Sequence, residues 1–426
     1  FFFDFFIGSI IGILHSFVIR FLNEEVPEPY MDEIFHIAQT KMYCKGIYNE
    51  WNPMITTPPG LYFLTVLFGF CGHERYFNSL ILPFCFCGLC NLRRFILINK
   101  GKLSEEIDQV NDVRLSALAI CSLPVLLNNS FLYYTDLLSL TAIVWGISVN
   151  SQIFSFLFLV LALLTRQTNI VWPVLNCLLI GINIIKYLLF NQFSFKYLFL
   201  QVCKYIHQFL LVFGFICFLI WNNGSIVLGD KSAHKPAFHL PQILYFIGFT
   251  ALSSMPLFLT FFIKNFNKIF NCNNLILMLF ITLFAFISIN CCTLAHPYLL
   301  ADNRHFTFYI WQRFFQRHWI AKYLAIPFYT FSAVLMGQMT SEISFKLKAF
   351  FIAFISLCLV PAFLLEFRYF ILPFALWRLS LDKQLISAQL IEIFINLTLS
   401  AFVLYLFLNY PFKWTNEPEK LQRFMW

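Results

Sequence analysis

The sequence predicts an all-α membrane protein that crosses a bilayer many times. Three observations predict it. Of its 426 residues, 60% are hydrophobic and only 12% are charged, against about a quarter charged in a soluble domain. The apolar residues fall in runs of roughly 17–25, the length that spans hydrocarbon. Lys and Arg collect in short clusters beside those runs, the arrangement that sets membrane orientation. Soluble enzymes and disordered chains are excluded. No nucleic acid is expected, because the basic clusters make no continuous face. The expected surroundings are membrane lipid.

The runs lie near residues 5–22, 77–98, 114–130, 132–149, 152–165, 170–189, 198–221, 240–262, 275–295, 319–338, 349–365 and 386–409. That is about twelve membrane helices, in one domain over residues 1–426. The first run ends in Arg20, Phe21, Leu22 and Asn23. It lacks the small residues of a cleavage site and reads as an uncleaved span. Residues 61–70 and 306–315 are too short to cross and read as helices lying at the interface.

With a cytosolic N-terminus, loops 93–113, 190–197, 263–274 and 339–348 share the cytosolic side. They carry Arg93, Arg94, Lys100, Lys102, Lys196, Lys264, Lys268, Lys346 and Lys348. The tail with Lys413, Lys420 and Arg423 falls on that side too. The other face, a lumen, carries loops 23–76, 223–239, 296–318 and 366–385, with glycosylation sequons at Asn128 and Asn223. A third sequon, at Asn396, lies inside a span. The thirteen cysteines make no disulfide framework; Cys85, Cys87 and Cys90 read as small apolar residues within a span. No Cys/His grouping has metal-ligand spacing, so no metal is expected.

The luminal face holds the residues that could do chemistry. The first loop, 23–76, begins with Glu24, Glu25, Glu28, Asp32 and Glu33, and Pro27 and Pro29 restrict the backbone there. A short helix from Asp32 puts Asp32, His36, Gln39 and Tyr43 on one face and turns Glu33 elsewhere. Such a carboxylate can serve as a general base, or as an acidic cap on a helix N-terminus. The turn Thr56-Thr57-Pro58-Pro59-Gly60 sets the loop's geometry. Asp136, at the start of a span, fits an N-cap and a site residue equally. Arg166 and Gln167 sit at a membrane edge, where Arg can also snorkel. His296, Asp302, Asn303, Arg304 and His305 form a second cluster. The planar fork of Arg304 suits phosphate, or an ion pair with Asp302. Glu366 and Arg368 make a third group, and Asp230 and His234 lie in a mixed-charge loop. No phosphate loop or dinucleotide fingerprint is present, so no cofactor is expected. The residues fit an enzyme acting on a lipid-anchored polar substrate, a transporter or lipid flippase, or a scaffold. A transporter would place its ionisable groups near the midplane, and most here lie in loops.

The segment EPYMDEIFHIAQTKMYCKG with EWNPMITTPPGLYF closely resembles the endoplasmic-reticulum α-1,2-glucosyltransferases that add the last glucose to the lipid-linked oligosaccharide. FLYYTDLLSL, LTRQTNIVW, VLGDKSAHKPAFHLPQILYF, HPYLLADNRHFTFYIWQRF, LLEFRYFILP and LQRFMW match in the same order, so the resemblance covers nearly the whole chain. It implies a GT-C type fold with luminal interfacial helices, in the endoplasmic-reticulum membrane. The implied donor is dolichyl-phosphate-glucose, and the implied acceptor is the diglucosylated oligosaccharide on dolichyl diphosphate. It implies inversion at the anomeric carbon, with Asp32 as general base and Glu33 as the alternative. Arg304, Arg368, His296 and His305 are then expected at the donor phosphate. Tyr30, His36, Asp136, Arg166, Gln167, Asp230, His234, Asp302 and Asn303 are expected to contact substrate. The same fold could also serve a different sugar.

Overall fold

The computed structural model describes residues 2–102, 107–190, 194–229 and 236–426. It opens with α1 (Phe2–Glu25), the short helices α2 (Glu33–Cys44) and α3 (Gly60–Leu67), and the long α4 (Glu74–Asn99). Next come α5 (Ile107–Cys121) and α6 (Pro124–Ser130), bent by 64°. Pro124 lacks an N–H and drives Leu123 out of helical geometry, to ψ 121°. α7 (Asp136–Ser148), α8 (Gln152–Thr165), α9 (Val171–Phe190) and α10 (Phe195–Trp221) follow. α11 (Gln242–Ser253) and α12 (Met255–Ile269) meet at 85°. After α13 (Cys272–Cys292), three short helices line one end: α14 (Pro297–Ala301), α15 (Phe306–Ile310) and α16 (Ala321–Leu324). α17 (Ile326–Gln338), α18 (Phe345–Leu359), α19 (Ile371–Ser380) and α20 (Ile386–Asn409) complete the helices. An antiparallel hairpin, β1 (Phe412–Trp414) and β2 (Glu417–Gln422), comes last and sets Phe412 opposite Gln422.

Five described helices are long and apolar enough to cross a bilayer, and up to eight if each bent pair is one span. The expected twelve are therefore not matched one for one. The run at 240–262 is the bent pair α11–α12, and 319–338 breaks into α16 and α17. The short helices α3 and α15 stand where interfacial helices were expected.

α4 is the axis of the bundle, with α1, α5, α7 and α19 packed on it. Gly12 of α1 lies so close to α4 that a Cβ there would come within 2.7 Å of the Pro83 ring. At one end of the bundle the carboxylates are buried and closed by arginine. Asp4 meets Arg94 and Arg114, Asp112 meets Arg93 at 2.7 Å, and Glu392 meets Arg378 at 2.8 Å. Of these, Arg93, Asp112 and Arg378 were expected in loops and are instead buried inside the bundle.

The other end carries the first loop, and two corrections concern it. Residues 366–385 are not a loop on that face. α19 runs inward from Arg368, burying Phe370, Phe374 and Trp377, and reaches the far end, where Leu379 and Leu381 carbonyls accept from Arg93. This extra crossing reverses everything after it. The tail accordingly lies with the first loop: the Tyr30 hydroxyl donates to Arg423 O (2.7 Å) and accepts from Arg423 N (2.8 Å). The sequon residue Asn128 is buried, its amide donating to Pro124 O.

Candidate functional site

Arg75, at the start of α4, organises the first loop. Its guanidinium donates to both oxygens of Glu33, at 2.9 and 2.7 Å, and to Asn23 Oδ1, Val26 O and Glu28 O. Glu33 also accepts from the Tyr30 and Tyr133 amides, at 3.1 and 2.6 Å, and is fully buried. Every face of that carboxylate is engaged. One residue earlier, at the N-cap of α2, Asp32 turns the other way, with 42% of its side chain exposed. Arg368 Nη1 donates to Asp32 Oδ2 at 2.8 Å. A disulfide from Cys44, at the end of α2, to Cys71 ties α2 to the loop after α3. No disulfide was expected there.

Arg368 is the centre of the charge cluster. Besides Asp32 it holds Glu366 at 2.8 Å, and its guanidinium lies 5.5 Å from the Tyr134 ring centroid. Burial pulls its pKa down, but Glu366, Asp32 and Asp136 outweigh burial and hold it well above the ordinary arginine value. Burial pushes the Asp32 carboxyl up; the charges of Arg368 and His36 and the Arg368 hydrogen bond outweigh it and hold Asp32 below the usual carboxylate range. His36, one turn along α2, is driven down to about 4 by burial, against the pull of Asp32. It is therefore neutral at pH 7, with Nδ1 2.6 Å from the Tyr62 hydroxyl. Gln39 and Tyr43, expected on the same face, are buried, and Gln39 pins Glu50 and Asn52 instead.

Asp136 and Arg166 stand beside this cluster. Arg166 Nη2 is 3.0 Å from Asp136 Oδ1, and its Nε donates to Thr135 Oγ1. The 3.0 Å contact lacks hydrogen-bond geometry, so both oxygens of the buried Asp136 are without a hydrogen bond. Gln167 grips Thr56 O in the Pro-rich turn.

The Asp302 group forms a second wall, closed by the tail. Arg304 donates to both Asp302 oxygens at 2.8 and 2.6 Å, reaches Gln422, and lies 4.7 Å from the Trp414 ring centroid. Its fork is therefore occupied by Asp302. Asn303 accepts from Trp414 Nε1, and His305 Nδ1 meets Trp426 O at 2.9 Å. The charge of His305 reaches Asp32, and that of Arg304 reaches Tyr30. His296 is set apart, packed on Phe363 at 4.6 Å and accepting from Tyr298 N. Asp230 and His234 lie outside the described residues. Sequence reasoning missed Arg75, Tyr62, Tyr134 and the tail. Arg75 did carry a signal, as a charge at the start of a span.

The profile of the DIE2/ALG10 family matches residues 26–379. The chain belongs to the DIE2/ALG10 family. The match takes in Asp32, Asp136, Arg166, Arg304 and Arg368 of this DIE2/ALG10 chain and leaves the β1–β2 hairpin outside. It is 34% identical over 455 residues to a Homo sapiens protein named Dol-P-Glc:Glc(2)Man(9)GlcNAc(2)-PP-Dol alpha-1,2-glucosyltransferase, covering 94% of this chain and 93% of that one. An Arabidopsis thaliana protein of the same name is 31% identical, with 95% and 96% covered. One from Debaryomyces hansenii is 29% identical, with 98% of each chain covered. No solved structure matches this DIE2/ALG10 chain.

Proposed function

We propose that this chain is an inverting α-1,2-glucosyltransferase. It moves glucose from dolichyl-phosphate-glucose to the terminal glucose of the diglucosylated oligosaccharide on dolichyl diphosphate. The observation that carries the site assignment is the Asp32–Arg368 pair: a part-exposed carboxylate held 2.8 Å from a guanidinium. A direct displacement needs a base for the acceptor hydroxyl and positive charge for the departing phosphate. Asp32 is the base and takes the proton of the acceptor 2-hydroxyl. The oxygen attacks the anomeric carbon as the bond from that carbon to the phosphate oxygen breaks. The dolichyl phosphate leaves with the electron pair, onto Arg368 with Arg166 beside it. The phosphate competes with Asp32 for Arg368, so its arrival frees the base. Asp136, with two buried oxygens and no hydrogen bond, receives sugar hydroxyls. Glu33 and Arg304 hold the walls instead, because their partners fully engage them.

The fold is of the GT-C type, with about thirteen spans, α19 added to the expected twelve and short and bent helices counted. It lies in the endoplasmic-reticulum membrane with Asp32 facing the lumen. The Cys44–Cys71 disulfide beside the site supports that side, because disulfides persist in oxidising compartments. The test is purified protein in nanodiscs, given dolichyl-phosphate-glucose and the diglucosylated acceptor. The expected product gains one hexose and is cut by an α-1,2-specific glucosidase. No gain with active donor overturns the proposal.

A further inference from the structure

Beyond the Asp32 centre, the end of the bundle that carries the site has a second concentration of positive charge. Residues 303–341 contain no Asp or Glu, yet hold Arg313, Arg317, His318 and Lys322. Among the described residues, no carboxylate pairs with Arg313, Arg317 or Lys322. Arg313 lies 5.4 Å from the Tyr309 ring centroid and Lys322 5.0 Å from that of Tyr323. The Tyr323 hydroxyl donates to Asn290 Oδ1, which fixes the segment at the end of α13. Basic residues are favoured on the cytosolic side of a membrane protein. This cluster stands at the opposite end from the Arg93 and Lys100 clusters, so orientation does not account for it.

Under the cluster lies a cavity of about 160 Å³, lined by Tyr245, Ile289, Thr293, Trp311, Phe315 and Lys322. Trp311 is buried, and its indole Nε1 has no hydrogen-bond partner. A buried donor without an acceptor is costly; the nitrogen itself is covered in the cavity wall, so an acceptor reaches it only where that wall gives way to an entering ligand. Lys322 adds a positive charge and Tyr245 a hydroxyl. The apolar residues beside it are open to lipid: Trp319 is 71% exposed, and Leu324 and Phe314 are exposed too. Aromatic and basic residues together are the composition that seats at a membrane–water boundary.

We infer that this cavity is a second lipid-phosphate site, apart from Asp32 and Arg368. Trp311 Nε1 and the Lys322 ammonium donate to a phosphate oxygen of a membrane-anchored lipid. Arg313 and Arg317 draw its charge to the rim, and its chains lie against Phe314 and Leu324. The ligand is an anionic phosphate on a lipid, whether a polyisoprenyl phosphate or a bulk phospholipid.

The test uses the full chain in phosphatidylcholine nanodiscs doped with either dolichyl phosphate or phosphatidylinositol, with bound lipid read by native mass spectrometry. Binding is measured without turnover, so the inference stands or falls apart from the glucosyltransferase reading. Wild type is expected to retain at least one of the two lipids. Lys322→Gln is expected to lower that retention about tenfold, the loss of one charge-assisted hydrogen bond. Trp311→Phe keeps the ring, removes only the N–H, and is expected to act in the same direction. Dolichyl phosphate can also seat at Arg368, so only lipid whose retention falls in Lys322→Gln and persists in Arg368→Gln is assigned to this cavity, and its identity gives the source. Retention unchanged in both variants, or absent in wild type, overturns the inference.

Discussion

Asp32 and Glu33 are adjacent carboxylates with opposite surroundings, and substituting each in turn separates base from anchor. Glu33→Gln removes the one carboxylate that, among the described residues, pairs with the buried Arg75 guanidinium, and puts an amide among four donors. Breaking one side of a buried ion pair costs about 3–5 kcal/mol. At about 2.1 cal/mol/K per residue, the whole chain has an unfolding entropy of about 0.9 kcal/mol/K. The melting midpoint should therefore fall by about 3–6 °C. Asp32→Asn loses an ion pair whose carboxylate is 42% exposed, which contributes about 0–1 kcal/mol. Its midpoint should move by no more than about 1 °C. Transfer should behave the other way. Asp32→Asn should lose about 10²–10⁴-fold in rate, while Glu33→Gln, assayed well below its midpoint, should stay within about tenfold. Thermal unfolding in detergent and single-hexose transfer by mass supply both readouts. If Glu33→Gln abolishes transfer at an unchanged midpoint while Asp32→Asn remains active, the base is Glu33 and the anchor argument is wrong.

Three further outcomes are expected. Arg368→Gln leaves burial of Asp32 unopposed by its main counter-charge, so the Asp32 pKa rises and the acid limb of the pH–rate profile shifts to higher pH; an unmoved limb would separate Asp32 from Arg368. Cys44→Ser opens a link across 27 residues, for which loop-closure entropy gives about 3.5 kcal/mol; the midpoint should fall by about 4 °C, and reductant should lower wild type equally while leaving the variant unmoved. Burial pushes His36 down to about 4 in the folded chain, from the ordinary histidine value of 6.5. Its unfolded form takes up the proton first, so stability holds above pH 6.5 and declines as pH falls from there towards 4. His36→Asn should flatten that decline, and an identical slope in both proteins would assign it to other groups.

The sequence carried the helical, membrane-spanning class of the fold and named Asp32, Asp136, Arg166 and Arg368, which the structure draws together, but not the pairing among them. α1, α4, α13 and α20 are long apolar runs and were legible as spans. α19 was not, because its crossing has only ten helical residues and includes Arg378. That charge is tolerated because Glu392 lies 2.8 Å away, fourteen residues along the chain, a pairing no hydropathy window registers. Missing one crossing put the tail on the wrong side. In the first loop, helical spacing separated Asp32 from Glu33 but did not say which would be buried. That depended on Arg75, forty-two residues on. Arg304 and Arg368 looked alike in sequence, two basic residues each two positions after an acid. Asp302 takes up the fork of Arg304, while Arg368 extends past Glu366 to Asp32, 336 residues away.

The docking of the tail bears on the order in which the protein is made. Tyr30 and Arg423 are 393 residues apart in the chain, and translation proceeds at about 5–20 residues per second. The first loop therefore waits about 20–80 s after its own synthesis before Arg423 reaches Tyr30 and Trp426 reaches His305. Until then the Asp302 wall lacks its backing. A nascent chain stalled before this point has its acidic loop already made while the residues that back the Asp302 wall are still missing, so that wall is complete only once Arg423 and Trp426 have been added.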